Sequence, residues 1–304
     1  MNTTFTLTPD GPFSLAASTR FLEGFAPAAY AGGTSAGLDL AFAVDGHWDT
    51  VAVHVDQSGV DVTGTLHAPA RLGPPVEEAA IAQVARILSL DIDGTGFPAV
   101  GVADPVAGRL QARYPGLRPV CFWSPYEAAA WAVIGQRIRI QQAAAIKSRL
   151  AADYGITLSI DGRHVTAFPA PAVLAELDAC PGLNDVKITR LRGIARAALD
   201  GQLDAARLRA LSRTRALDEL LTIPGIGPFS AELILLRGAG DPDHTPTAEP
   251  RLARAIARAY DLPTAPSQTM LARLSQAWRP YRTWVSLLLR TMLEDDTHEI
   301  TGAR

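Results

Sequence analysis

The 304-residue chain has two cysteines, Cys121 and Cys180, far apart in the sequence. That excludes a disulfide framework and a cysteine-rich metal centre, and makes a reducing, cytoplasmic setting the expectation. Lysine is equally scarce: Lys147 and Lys187 are the only two. No apolar run reaches eighteen residues, and the opening MNTTFTLTPDGPF lacks a basic stretch followed by an apolar one. Neither a membrane span nor a secretory leader is therefore expected. Long low-complexity tracts and strict internal repeats are missing too. The histidines, His47, His54, His67, His164, His244 and His298, show no metal-ligand spacing. His54 and His67 read as structural or surface groups. His244 stands alone in a loop and reads as a loop residue with no role.

What is present describes a folded protein. The chain is 48% hydrophobic and 19% charged, with 25 Gly and 22 Pro, and its length suits two or three domains. A net charge of −3 argues at first against a polyanionic partner, but the charge is unevenly spread. Residues 1–80 hold nine acidic residues against Arg20 and Arg71, so the remainder is net basic. Residues 187–215 carry Lys187, Arg190, Arg192, Arg196, Arg207, Arg209, Arg213 and Arg215 against Asp200 and Asp204. Such a run can steer a polyanion, and it can equally be the solvated faces of helices.

Patterning divides the chain. To about residue 70 it reads mainly as strands: FTLTP, LDLAFAV (38–44), WDTVAVHVDQSG (48–59) and VDVTGTLHAP (60–69). Val51, Val53 and Val55 alternate, and the Gly-containing breaks suit hairpins. SLAASTRFLEGFAP (14–27) and VEEAAIAQVARILSLD (76–91) have helical spacing, so an antiparallel sheet with helices on one face is expected. From about residue 110 short helices dominate. Ser124 is a candidate N-cap, with Pro125 at the first helical position and Glu127 three after the cap. Helices are expected over 124–136 and 138–155 and then in short segments to 295, the last broken near Pro280. ITLSIDGRHVTAF (156–168) is a strand-like interruption.

LTIPGIGPFSAELILLRG (221–238) reads as a tight turn leading into a helix. Gly225 and Gly227 can adopt backbone angles closed to other residues and leave no side chain between the turn and an approaching partner. Pro228 opens the next helix without wasting a donor. The N–H groups from Gly225 to Phe229 lie at a positive helix end, which suits a phosphate and would position a duplex without reading its sequence. Taken alone, Pro-Gly-Ile-Gly is also an ordinary helix corner.

LTIPGIGPFSA resembles the helix-hairpin-helix motif of the base-excision DNA glycosylases. The segments SPYEAAAWAVIGQRIRIQQAAAI (124–146), FPAPAVLAEL (168–177), KITRLRGIARAA (187–198) and WRPYRTWVSLLLR (278–290) extend the similarity, as does GPFSLAASTRFLEGFAP (11–27). Together they resemble the AlkA-like DNA-3-methyladenine glycosylases over nearly the whole chain. The resemblance implies an α+β fold: an N-terminal antiparallel α/β domain over 1–90, then a two-lobed all-helical glycosylase body. One lobe would span 119–239 and contain the hairpin; the other would combine 91–118 with 240–304, leaving the substrate cleft between them.

The same resemblance assigns roles. Ile223, Pro224, Gly225, Ile226, Gly227, Pro228 and Phe229 would grip backbone phosphates. The carbonyls of Leu221, Ile223 and Ile226 match positions that hold a monovalent Na+ or K+; no other cofactor is required. Glu249, in TPTAEPRL, falls on the family's catalytic aspartate and is one methylene longer. A carboxylate belongs there because breaking an N-glycosidic bond builds positive charge on the sugar, which an ionised group stabilises while orienting water. A competing reading makes Glu249 an acid favoured at a helix start. Arg137 would wedge into the gap left by an everted nucleotide, and Gln136 would bond nearby bases or support the turn. Pocket candidates are Phe122, Tyr126, Trp131, Phe229 and Trp284, with Arg290 where the resemblance implies a base-stacking tryptophan. Trp278 and Tyr281 are further aromatic candidates for the pocket. An arginine there would repel a cationic base but could bond a neutral one with carbonyl acceptors. Bifunctional relatives carry a lysine where this chain has Phe229, so a monofunctional enzyme is implied. Two cysteines cannot supply the four that an iron–sulfur glycosylase uses. The expectation is a monomeric glycosylase that removes damaged, alkylated purines from double-stranded DNA with water as nucleophile. The alternatives are a damaged-DNA-binding protein with a degenerate site and a protein-interaction scaffold.

Overall fold

The computed structural model describes residues 2–28 and 37–298. Strands β1 (Asn2–Leu7), β2 (Leu38–Ala43), β3 (Thr50–Ser58) and β4 (Asp61–His67) form one antiparallel sheet in the order β1-β4-β3-β2. The alternation of Val51, Val53 and Val55 aims them at one face, where Leu15 and Leu22 of α1 (Leu15–Glu23) and Val84 and Ile87 of α2 (Pro74–Ile87) complete a core. The opposite face is covered as well. A hairpin of β5 (Thr157–Ile160) and β6 (Arg163–Thr166) lays Leu158 and Ile160 on Ala41 and Ala52. At its end Arg163 Nε meets Asp39 at 2.8 Å, and His54 Nδ1 lies 2.6 Å from the same carboxylate. His54 is thus a structural group.

Two further cores lie beyond the sheet. The first gathers α5 (Pro125–Ile134), α6 (Ile140–Tyr154), α7 (Pro171–Leu174), α8 (Asp185–Leu199), α9 (Ala205–Ala210), α10 (Arg213–Leu221) and α11 (Pro228–Leu233), the last running into a π-helical turn, Ile234–Gly238. The second joins α3 (Phe97–Ala103) and α4 (Pro105–Arg113) to α12 (Pro250–Ala259), α13 (Gln268–Leu274) and α14 (Arg282–Thr297). The sequence reading does not anticipate α3 and α4. Their prolines sit in first turns, where a missing N–H costs nothing, and Asp104 both ends α3 and caps α4 by accepting the Val106 N–H at 2.9 Å.

Ser124 caps α5 as expected, its hydroxyl accepting the Glu127 N–H at 2.9 Å. Glu127 does not reach back to the cap. Its buried carboxylate pairs with Lys147 Nζ at 2.9 Å, because an uncompensated lysine at that depth would be costly.

The three cores are joined by buried arginines. Arg86 of α2 donates to the carbonyls of Phe122, Trp123 and Gly238 and pairs with Asp45. Arg118 donates to the carbonyls of Asp10, Pro12, Ser89 and Ile92 and lies over the Trp284 ring. Among the described residues no helix is long and apolar enough to cross a membrane.

Candidate active site

The hairpin is fixed from within. Ile223 and Ile226 are buried in the core of the first helical lobe, leaving Pro224, Pro228 and Phe229 exposed between them and beyond. The Ile226 N–H closes the turn on the Ile223 carbonyl at 3.0 Å, and Gly227 caps α11 by accepting the Ala231 N–H at 2.8 Å. Gly225 has the positive φ the sequence reading expects, at +95°. Gly227 does not: at φ −105° and ψ −179° any residue would be accommodated. An added Cβ there would meet nothing within 4 Å. Its value lies in what it leaves open outside the protein.

Leu221 ends α10, where the last carbonyls of a helix lack internal partners. Ile223 O, already accepting one N–H, keeps a second lone pair. These, with the Ile226 carbonyl, are the positions at which the resemblance implies a monovalent cation.

Beside the hairpin lies the turn after α5. Gln136 Nε2 donates to the Gly225 carbonyl at 2.7 Å, while its Oε1 accepts from Arg190 Nη1 at 2.7 Å. Gln136 thus supports the turn and ties it to the hairpin and α8. Arg137 is exposed at the tip with φ +57°, a left-handed conformation that costs energy in a non-glycine residue. Between Arg137, Asn184, Val186, Lys187 and Arg190 runs a groove of about 650 Å³. Most of the rest of the basic run is engaged, Arg196 alone of it standing exposed without such a pairing among the described residues. Arg207 and Arg215 pair with Glu219, Arg209 with Asp91, and Arg213 with Asp241, while Arg192 donates to the Ala175 carbonyl. The positive charge facing the groove is that of Arg137 and Arg190; Lys187, also in its lining, turns its ammonium inward to the Ile134 carbonyl.

Residues 241–249 form the loop that delivers Glu249. Asp241 is clamped by Arg213, and Asp243 by Arg282 at the start of α14, with Nε–Oδ1 2.7 Å. The His244 N–H donates to Thr283 Oγ1 at 3.1 Å, and that hydroxyl donates back to the His244 carbonyl at 3.0 Å. The inner side is held by Glu232 of α11, a residue the sequence reading passes over. Glu232 accepts the Thr247 N–H and the Ala248 N–H at 3.0 Å each and the Thr247 hydroxyl at 2.7 Å, and faces His244 Nε2 at 3.3 Å. Burial opposes its ionisation, but the hydrogen bonds from His244, Thr247 and the two N–H groups prevail and bring its pKa down to about 2. His244 is therefore a loop anchor. The available signal was a single acid inside the apolar run AELILL.

Glu249 is the N-cap residue of α12, yet its side chain makes no capping hydrogen bond. It turns instead to α14, where Arg290 Nε lies 2.7 Å from Oε1, both side chains about one-fifth exposed. Arg237 also senses this pair: burial lowers its pKa, Cys121 and Glu249 oppose that, and Arg290 adds to it. The aromatic pocket candidates are placed otherwise. Phe122, Tyr126 and Trp131 are buried in the first helical core and Trp284 in the second, packed on Phe97 and Tyr281. Trp278 and Tyr281 are buried in that second core too. Tyr126 donates its hydroxyl to the Pro169 carbonyl. None of these six opens a ring face to solvent, whereas Phe229 stands half exposed beside the hairpin. Both lysines are buried and donate to backbone carbonyls, Lys147 to Pro27 and Lys187 to Ile134.

Among the described residues no three His, Cys, Asp or Glu side chains converge to hold a metal ion. No protein-family model matches the sequence. A probable bifunctional transcriptional activator/DNA repair enzyme AlkA of Mycobacterium tuberculosis is 32% identical over 225 residues, covering 72% of this chain and 44% of that protein. The chain thus spans less than half the length of that relative. A DNA-3-methyladenine glycosylase of Bacillus subtilis is 26% identical over 228 residues, covering 72% of this chain and 75% of its own. Among solved structures, a 3-methyladenine DNA-glycosylase from Archaeoglobus fulgidus superposes with a TM-score of 0.74 over 97% of this chain and 99% of its own, at 18% identity. That last likeness is one of fold.

Proposed function

We propose that this chain, a homologue of the AlkA-like DNA-3-methyladenine glycosylases, is a monofunctional DNA glycosylase that hydrolyses the N-glycosidic bond of damaged, alkylated purines. The observation that carries the reading is the placement of Glu249. A loop tied to α10, α11 and α14 holds this carboxylate downstream of the hairpin, and its side chain is not spent on capping α12. The hairpin from Ile223 to Phe229 binds backbone phosphates, and a monovalent cation on the Leu221, Ile223 and Ile226 carbonyls would add positive charge there. Arg137 enters the stack where the damaged nucleotide leaves it, its guanidinium stacking on neighbouring bases. Glu249 then faces the sugar, stabilises the positive charge that grows as the base departs, and orients a water molecule toward the anomeric carbon. With Lys147 and Lys187 both buried and engaged, hydrolysis by water rather than a Schiff base is the consistent route.

One observation favours a second reading. The Arg290 guanidinium on Glu249 offsets the charge that catalysis needs, as it would in a protein that binds damaged DNA without cutting it. Incubation with duplex DNA carrying damaged purines separates the two. A glycosylase releases free base, and Glu249→Gln lowers that release at least a hundredfold while duplex affinity stays within about threefold. Binding without release by the unaltered protein on alkylated, deaminated and oxidised substrates alike would establish the second reading.

A further inference from the structure

Helix α8 holds the turn that carries Arg137 from behind, at two points. The buried Lys187 Nζ donates to the Ile134 carbonyl at 2.7 Å, just before the turn. Arg190, three residues on, donates through Nη1 to Gln136 Oε1 at 2.7 Å. Gln136 passes the contact on, its Nε2 donating to the Gly225 carbonyl at 2.7 Å. That carbonyl belongs to the peptide group between Gly225 and Ile226, so holding it sets the plane from which the N–H groups of Gly225 and Gly227 face a phosphate. Arg190 also reaches the same glycine directly. A Cβ on Gly225 would lie 2.6 Å from Arg190 Cδ and 3.1 Å from Cγ, so the arginine stem fills the space that the glycine leaves. Among the described residues no carboxylate pairs with Arg190. Its charge polarises the Gln136 amide, which strengthens the bond to Gly225. On the other side of Gln136 stands Arg137, held in its left-handed conformation at φ +57°.

We infer that Arg190, acting through Gln136, is a positioning residue that makes the hairpin's grip on phosphate and the insertion of Arg137 one cooperative event. An intact duplex engages the hairpin alone and leaves this relay idle. A duplex with a gap in its stack admits Arg137, and the Gln136 side chain next to it then holds Gly225 in the orientation that favours the phosphate. Ordering the turn orders the hairpin too, so the entropy of fixing the two is lost once rather than twice. Because linkage between binding events is reciprocal, a seated phosphate favours insertion by the same factor. The chain therefore distinguishes a gapped stack from an intact one without reading any base. The inference rests on the reading of Arg137 as the inserted side chain and adds a coupling to it.

The test compares binding to two duplexes that differ at one position, intact in one and a tetrahydrofuran abasic-site analogue in the other, with 2-aminopurine as the neighbouring base. The unaltered chain is expected to prefer the abasic duplex by roughly tenfold or more and to raise 2-aminopurine fluorescence on binding it. Gln136→Glu keeps the contact with Arg190 but has no N–H for Gly225. It should cut that preference about tenfold and abolish the fluorescence rise, while affinity for the intact duplex stays within about threefold. Arg190→Met should do the same, and Arg190→Lys, which still offers an N–H to Gln136, should restore most of the preference. A double-mutant cycle between Gly227→Ala and Arg137→Ala on the abasic duplex should fall about tenfold short of additivity in the unaltered background and become additive in Gln136→Glu. Additivity in the unaltered chain, or an equal loss on both duplexes in Gln136→Glu, overturns the inference. Base release from damaged duplexes, measured in parallel, keeps the two readings apart. Coupling without release removes the glycosylase and leaves the relay; release with additive effects does the reverse.

Discussion

At Gly227 the backbone is extended, and a methyl group would point into open space. Replacement by alanine therefore costs the fold nothing and, by restricting the unfolded chain, should stabilise it by about 0.4–1 kcal/mol. A phosphate drawn against that backbone would meet the new methyl, so duplex affinity should fall roughly tenfold, about 1.4 kcal/mol, whatever the DNA sequence. Gly225→Ala is the contrast. Its φ of +95° is strained for alanine, and the Cβ would lie 2.6 Å from Arg190 Cδ, so it should lose roughly 1–3 kcal/mol of stability. Thermal melts and a binding titration on both variants check the pair. Unchanged affinity in Gly227→Ala would remove the hairpin from the interface.

The loop ending at Glu249 is an element whose shape is imposed by its neighbours. Glu232 fills three donors of that loop with one carboxylate, so Glu232→Gln should loosen the segment without touching the hairpin. Turnover is expected to drop ten- to a hundredfold while duplex affinity changes less than about threefold, since displacement of a reacting group by 1 Å has that scale of effect. The folded pKa of about 2 lies below the ordinary 4.5, so the carboxylate contributes stability above pH 4.5 and loses it as pH falls toward 2. Denaturant melts from pH 7 to pH 3 should show a decline in the unaltered protein that is shallower in Glu232→Gln, by on the order of 2 kcal/mol. Parallel declines would assign acid sensitivity to other carboxylates.

Elements governed by local chemistry were legible in the sequence. Ser124 and Pro125 announce the start of α5, the Val51–Val53–Val55 alternation announces a strand though not the cover on its other face, and the two glycines mark a turn. Relations between distant residues were not. The basic run from Lys187 to Arg215 looks like a polyanion surface until four of its arginines are seen to pair with Asp91, Asp241 and a shared Glu219. Glu249 could be assigned to a helix start or to chemistry, and nothing in TPTAEPRL announces that its partner is Arg290. The aromatic side chains read as pocket walls, Phe229 apart, turn out to be packed inside two cores, because large rings are the most efficient way to fill them.

For the molecule as a whole, buried guanidinium groups hold the cores together through main-chain carbonyls. Arg118 is almost wholly buried, and the carbonyls of Asp10, Pro12, Ser89 and Ile92 all depend on it. Arg118→Met preserves much of the volume but leaves the carbonyls of Pro12, Ser89 and Ile92 without that donor, Asp10 keeping only the Gly94 N–H, so it should cost about 3–5 kcal/mol. It should also separate unfolding of the N-terminal sheet from that of the second helical core, which chemical denaturation followed by two probes would register. A loss below about 1 kcal/mol, with a single transition, would place the cohesion elsewhere.

Because Lys147 and Lys187 are both interior and engaged with carbonyl oxygens, the permanent side-chain cations that reach solvent belong to arginine. Acylating reagents, chemical or enzymatic, thus find no side-chain amine with which to silence the groove beside the hairpin. Dicarbonyl reagents that condense with guanidines would strike Arg137 at once.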